Sequence, residues 1–376
     1  MSSGNKRRKE NFLIPYVLFL GSILFITYYQ AVIPKPIYWG AWIAGDTYGV
    51  GNPPWDTAAI DLFEQHAGKK MSILHWGQPW WHCDRLCRYQ TFDLQKAQYE
   101  KVRQRGSIPL IDWASYDYEA PELLNQPEFS LSTIIQGKHD EYIRQWATQA
   151  RDWEHPFFLR FDWEMNGWWF PWSERVNGNQ PGQYVLAWRH VHDIFEEVGA
   201  QNVTWVWCPN VIGPSTAPLE PLYPGDKYVD WLCMDGYNSG TNPLKPDRWR
   251  TFEELFGETY SALLSLSPHK PIMIAEVAST EVGGSKAAWI HEALIEDLPN
   301  RFPAVRAVAW FNWSNRGLDW AIESSTQAQS AFAEGVRSDY YMGSDFSNLK
   351  TSPILGRLRF YERWLSFLPE FKSFEE

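Results

Sequence analysis

From Ile37 onward the chain alternates short apolar runs of strand type with longer stretches of helical periodicity. That alternation restricts it to βα units around a parallel sheet. The strand candidates are Ile37 to Ile43, Met71 to Trp76, Ile108 to Trp113, Phe157 to Phe161, Val203 to Cys208, Tyr228 to Met234, Ile272 to Ala275 and Val305 to Phe311. Between them fall helix candidates at Thr57 to Gln65, Leu94 to Gln104, Lys138 to Trp153, Gly182 to Glu197, Thr251 to Leu266, Lys286 to Leu298 and Thr326 to Ser338. Pro181 and Gly182 before the fourth helix and Gly199 after it are start and stop signals. The Pro-rich connection after Asn210 predicts little helix. Eight strands in series favour a closed (β/α)8 TIM barrel of the α/β class over a doubly wound sheet, and residues 36–343 supply the length that such a barrel needs as one domain.

The two ends of the chain follow other rules. Lys6, Arg7, Arg8 and Lys9 precede a run from Phe12 to Tyr29 without a charged residue. This is roughly the 18 to 20 residues that cross a bilayer. The run is longer than the apolar region of a cleaved signal peptide and has no Ala-x-Ala pattern before Pro34. It predicts a basic cytoplasmic N-terminus at 1–11, a transmembrane signal anchor at 12–31 and an extracytoplasmic barrel, so a single-pass membrane protein. In the C-terminal segment, 344–376, Ile354, Leu358, Tyr361 and Leu365 share one helical face, which predicts a helix packed on the barrel, with contact to a membrane surface as the alternative.

In such barrels chemistry gathers at the carboxyl ends of the strands. Here those positions carry Asp46 and Tyr48, His75 and Trp76, Asp112, Asp162 and Glu164, Asn210, Asp235 and Tyr237, Glu276, and Asn312. Helix capping accounts for one or two carboxylates in such places, but not for a series of them.

Two glutamates stand out. Glu164 lies in Arg160-Phe161-Asp162-Trp163-Glu164-Met165-Asn166-Gly167-Trp168-Trp169-Phe170-Pro171-Trp172, among four indoles. Apolar surroundings raise a carboxyl pKa, as a general acid near neutral pH requires. Glu276 ends the apolar strand Ile272-Met273-Ile274-Ala275, where an acid is costly to bury without a partner or a role. The pair predicts a proton donor, Glu164, and a nucleophile, Glu276, at the separation of about 5 to 5.5 Å used in retaining glycoside cleavage. The competing expectation is a buried structural ion pair between either acid and Arg160.

Composition agrees with a sugar ligand. With 23 Trp, 18 Tyr and 21 Phe the chain has rings to spare for stacking on the apolar faces of pyranoses, and a Trp-rich core is the alternative use for them. A net charge of -11 leaves no basic face for phosphates, so nucleic acid is not an expected partner. No compact Cys/His set has zinc spacing, so neither metal nor cofactor is expected. Cys83 and Cys87 are close enough to close a small disulfide loop in an exported protein, while Cys208 and Cys233 end apolar runs and are expected to be simply buried.

The segment Arg160 to Trp172, with Glu276 in Ile-Ala-Glu-Val-Ala-Ser, resembles glycoside hydrolase family 26 of clan A. Trp205-Val206-Trp207, Tyr228-Val229-Asp230-Trp231, Asp235-Gly236-Tyr237-Asn238 and Trp310-Phe311 extend the resemblance from Ile37 to about Ser338. It implies a retaining endo-β-glycanase with Glu164 as acid/base, Glu276 as nucleophile, Tyr237 supporting the nucleophile and Trp310 as the platform under the sugar. Trp169 and Trp172 are then expected as pocket walls, and His75 and Asn210 as partners of sugar hydroxyls. Mannanases of the family usually carry His before the acid/base, and this chain has Trp163 there. The substrate class thus stays open among mannan, mixed-linkage β-glucan and β-1,3-xylan. Other readings are a non-catalytic glycan-binding protein on the same barrel, and an anchored hydrolase that trims polysaccharide during export.

Overall fold

A computed structural model describes residues 36–356, apart from 84, 85, 246 and 316. The predicted membrane span at 12–31 and its basic flank lie outside the described residues; among the described residues no helix is long and apolar enough to cross a membrane. The predicted C-terminal helix also lies outside them, except for its first residues.

Eight parallel strands close into a barrel: β1 (Ile37–Ile43), β2 (Ile73–Cys83), β3 (Ile108–Asp117), β4 (Phe157–Phe161), β5 (Val203–Trp207), β6 (Trp231–Asn238), β7 (Ile272–Ser279) and β8 (Val305–Asn312). Each pairs with the next, and β8 returns to β1 through Tyr38↔Ala307 to Ile43↔Asn312. Closure between β1 and β2 brings backbones so near that a Cβ at Gly40 would run into the Ile73 carbonyl.

The main helices are α1 (Ala58–Ala67), α2 (Phe92–Gln104), α3 (Asp140–Trp153), α4 (Gln183–Val198), α5 (Phe252–Leu266), α6 (Lys286–His291) and α7 (Thr326–Arg337). Thr251 and Glu254 form a reciprocal capping box that starts α5. Gly199, in the left-handed region at φ 74°, ends α4 as its sequence position predicts. The single helix expected over Lys286 to Leu298 is broken: a π-helical turn at Glu292–Asp297 follows α6. After Asn210 only short 3-10 turns occur before β6, at Glu220–Leu222 and Asp226–Tyr228.

Strand parity sorts the core into two layers. Tyr38, Ile73, Leu110, Phe158, Val206 and Met273 point into the barrel, while Trp39, Trp113, Leu159, Trp205 and Ile274 face the helices. Much of the tryptophan surplus is consumed here. Trp39, Trp80, Trp113, Trp146, Trp188, Trp207 and Trp231 are fully buried, so core packing claims a larger share than a sugar-stacking reading anticipates. Residues 344–356 close the amino end of the barrel, where Phe346 meets Tyr38 at 5.3 Å and the Ile354 amide donates to Thr204 Oγ1 at 2.9 Å.

Two strands overrun the barrel. β2 and β3 stay paired as far as Trp81↔Asp117, and Cys87–Tyr89 folds back antiparallel on the end of β2, tied by a Cys83–Cys87 disulfide.

Candidate active site

The carboxyl ends of the strands converge on one buried guanidinium. Arg160, an inward residue of β4, is completely buried. Its Nε and Nη2 donate to Asp112 on β3 at 2.5 and 2.7 Å, its Nη1 donates to Asp235 on β6 at 2.5 Å, and its Nη2 also donates to Glu276 Oε1 on β7. The expected structural pairing of Arg160 with Glu276 is therefore present, within a network that also holds the site.

Glu276 reaches this point through a bulge. Met234 pairs with Ile274, but Asp235 pairs with Glu276, so one residue is inserted in β7. Ala275 stays inside the barrel and Glu276 turns to the mouth. Tyr237 donates its hydroxyl to Glu276 Oε2, so each oxygen of the carboxylate has a donor. Burial, reinforced by Glu276, holds the Tyr237 phenol far above its usual range, so it keeps the proton it donates.

Glu164 comes to the mouth by a sharp backbone turn after β4. Asp162 and Glu164 both adopt left-handed backbone, at φ 41° and 52°. For residues with a Cβ this costs on the order of 1–3 kcal/mol each. The turn is held from several sides: the Glu164 amide donates to the Cys208 carbonyl at 2.7 Å, the Asp162 amide to the Trp113 carbonyl at 3.2 Å, and the Tyr184 hydroxyl to the Asp162 carbonyl at 3.1 Å. The Asp162 carboxyl receives both the amide and the hydroxyl of Ser115, at 2.8 and 2.6 Å. Burial raises the pKa of Asp162 to about 8 despite those donors.

The Glu164 carboxyl accepts from Asn210 Nδ2 at 2.6 Å and from Trp169 Nε1 at 2.5 Å. Asn210 is itself fixed by reciprocal 2.8 Å bonds with Asn166. Burial first, and the nearby Glu276 second, raise the pKa of Glu164 to about 7, against the pull of Asn210, Trp169 and Arg160. A carboxylate oxygen of Glu164 and one of Glu276 lie within 4.8 Å of each other, with an oxygen of Asp235 at the same range.

The other acids divide the charge. Asp112 stays below the usual carboxylate range, because Arg160 and His75 outweigh its burial. Asp235 is pushed well above that range by burial and by Glu276, Glu164 and Asp112, which together outweigh Arg160. Its Oδ1 lies 3.3 Å from Cys208 Sγ. That sulfur is bonded to Cys233 and has no hydrogen, so the contact is a hydrogen bond when Asp235 carries the proton. The disulfide corrects the expectation that Cys208 and Cys233 are merely buried: extending the pairs Val206↔Trp231 and Trp207↔Leu232 by one residue sets the two cysteines side by side.

Some expected sugar contacts fall elsewhere. His75 is buried, with Nε2 2.8 Å from Asp112 and a ring nitrogen within 4.8 Å of a Glu276 oxygen, so it braces the acids of the site from below. Trp172 is fully buried, its indole nitrogen donating to the Trp163 carbonyl at 2.6 Å, and it backs the partly exposed Trp163 and Phe170. Trp310 is on the outer face of β8, packed on Phe332 at 5.4 Å and donating to the Trp320 carbonyl at 2.9 Å. It is not a platform at the mouth. The inward neighbour Phe311 is the partly exposed ring at the mouth, stacked on Trp42 at 4.5 Å and edge-on to Tyr237 at 5.6 Å. Lys245, which nothing in its sequence context marks, holds its ammonium 4.9 Å from the centre of the Tyr237 ring and 5.4 Å from that of Trp320.

A (β/α)8 barrel with paired acids at the ends of its fourth and seventh strands defines the class of barrel glycoside hydrolases. Residues 103–291 match the model of glycosyl hydrolase family 26, and the chain belongs to that family. It is 36% identical over 304 residues to Endoglucanase H of Acetivibrio thermocellus, a match covering 79% of this chain and 30% of that protein. A weaker match, 26% over 110 residues, covers 28% of this chain and 21% of a Beta-1,3-xylanase of an Alcaligenes species. The chain thus spans a third or less of the length of these curated relatives. Among solved structures, a Cellulomonas fimi endo-beta-1,4-mannanase double mutant superposes with TM-score 0.62 at 16% identity, covering 85% of this chain and 74% of that one. The Bacteroides ovatus beta-mannanase BoMan26A gives TM-score 0.57 at 16% identity, covering 82% and 91%. At such identities the superpositions speak for the fold alone.

Proposed function

We propose that the chain is a retaining endo-β-glycanase that hydrolyses a β-linked polysaccharide by double displacement. The observation that carries this reading is the approach of Glu164 and Glu276 within 4.8 Å between carboxylate oxygens. Inverting enzymes need about 6.5–9.5 Å to admit a water between the two groups, and retaining ones about 5–5.5 Å. Glu276, held by Arg160 and Tyr237, attacks the anomeric carbon. Glu164, protonated below about pH 7, gives its proton to the leaving oxygen. It then takes one from the water that releases the glycosyl group from Glu276.

Trp163 in place of the His of mannanases, together with the resemblance to a protein named an endoglucanase, favours a β-glucan over mannan. Product sizing after incubation with mannan, mixed-linkage glucan, xylan and cellulose tests the reading. Short oligosaccharides from mixed-linkage glucan are expected. No cleavage of any polymer across a range of pH would leave glycan binding without catalysis. The charge-free run behind Lys6 to Lys9 further supports a membrane anchor with the barrel outside the cytoplasm, as suits trimming of polysaccharide during export. Recovery of the full-length protein in a soluble fraction contradicts that part.

A further inference from the structure

We infer that the overrun of β2 and β3 beyond the barrel is a remote glycan-binding subsite, with Tyr118 as its sugar platform; the inference rests on the β-glycanase reading above. Rings form an unbroken path outward from the mouth. Trp163, over Arg160 at 5.0 Å, meets Trp172 at 5.0 Å, Trp172 meets Tyr116 at 5.6 Å, Tyr116 meets Tyr118 at 6.2 Å, and Tyr118 meets His82 at 6.1 Å. β3 carries one extra residue against β2 between Ala114 and Asp117, and Tyr116, within that stretch, turns its ring onto Trp172 of the segment that bears Glu164.

Tyr118 is 61% exposed, unusual for so large a ring in a protein that buries most of its tryptophans. Its two ring neighbours meet it at 79° and 65°, so neither lies flat against it. The platform is also rigid. The Tyr118 amide donates to the Trp81 carbonyl at 3.3 Å, the Cys83 amide donates to Glu119 Oε2 at 3.0 Å, and the Cys83–Cys87 disulfide ties the hairpin behind them. Glu119 and His82 flank the ring with polar groups that suit sugar hydroxyls, an arrangement of apolar wall and few polar groups typical of such ligands. Tyr118 lies six residues beyond Asp112, just past the end of β3, at most on the order of 20 Å at the rise of a strand. A ring that far out cannot hold the sugar being cleaved. It fits a unit several positions along a long neutral β-glycan.

The test compares Tyr118→Ala, Tyr118→Phe and the unsubstituted chain on mixed-linkage β-glucan and on a short aryl β-glycoside. For Tyr118→Ala the ratio of polymer KM to aryl-glycoside KM is expected to rise several-fold, up to about tenfold, and Tyr118→Phe is expected to restore it. An unchanged ratio overturns the inference. Retardation in a gel containing β-glucan gives a readout independent of turnover. Weaker retardation of Tyr118→Ala supports the subsite even if the unsubstituted chain cleaves nothing, and equal retardation of both overturns it.

Discussion

Asn210, just beyond β5, donates its side-chain amide to Glu164 at 2.6 Å, and so presses down the pKa of a carboxyl that burial pushes up. The balance, with Glu276 adding to the upward push, leaves the pKa of Glu164 at about 7. Since the acid role requires the protonated form, kcat/KM is expected to fall as pH rises through about 7. In Asn210→Ala the charged form of Glu164 loses a donor, its pKa rises, and the alkaline limb moves to higher pH. A pH-rate profile in which that limb stays put or moves to lower pH contradicts the assignment.

The two glutamates differ in what their removal spares. Glu276→Ala is expected to abolish turnover on every substrate. Glu164→Ala is expected to lose about 10²–10⁴-fold on polysaccharide, yet much less in the first step on aryl glycosides whose leaving group needs no proton. Burst kinetics with a dinitrophenyl glycoside measure that step, and equal losses on both substrate types speak against Glu164 as the acid.

Tyr237→Phe keeps the ring stacked on Trp320 at 4.5 Å and removes only the donor to Glu276. A hydrogen bond to a charged group is worth about 1.5–3 kcal/mol, so kcat/KM is expected to fall by about 10- to 100-fold. Thermal unfolding serves as the control: a fall in activity matched by a collapse in stability assigns Tyr237 to the core instead.

Arg160→Met strips the guanidinium from three carboxylates at the barrel centre. Leaving buried charge unpaired costs about 3–5 kcal/mol, whereas breaking the exposed Arg144–Glu197 pair costs about 1 kcal/mol or less. Denaturant unfolding of Arg160→Met and Arg144→Met checks the contrast; similar losses in the two variants contradict the network described for Arg160.

On β8, Trp310→Ala opens a hole beneath α7 and is expected to destabilise by about 3–5 kcal/mol. Phe311→Ala is expected to raise KM with a smaller change in stability. Reversed outcomes would return the platform role to Trp310.

The strands were legible because apolar runs between turn signals mark them whichever way they face, and β1 and β4 match their sequence bounds residue for residue. Side-chain direction was less so. Trp310 and Phe311 are adjacent aromatics, and only the register of β8 on β1, Trp42 opposite Phe311, tells which one looks inward. The same lack of register hides the Cys208–Cys233 bond and the bulge that aims Glu276. The overrun of β2 was obscured by Gly77 and Pro79, which read as loop but sit in a strand paired to β3. Glu164 and Glu276 stood out for a physical reason: each is an acid placed where its apolar sequence neighbours make charge expensive. Lys245 gave no such signal, since a lysine in a polar loop looks like any other until the fold sets it over Tyr237.

The closeness of Glu164 to Glu276 is tested most directly by proton NMR of the first sugar released from a β-glucan, recorded before mutarotation scrambles the anomers. Double displacement predicts that the new reducing end appears first as the β-anomer. Initial release of the α-anomer would mean single displacement with inversion, and would contradict the roles given to the two acids.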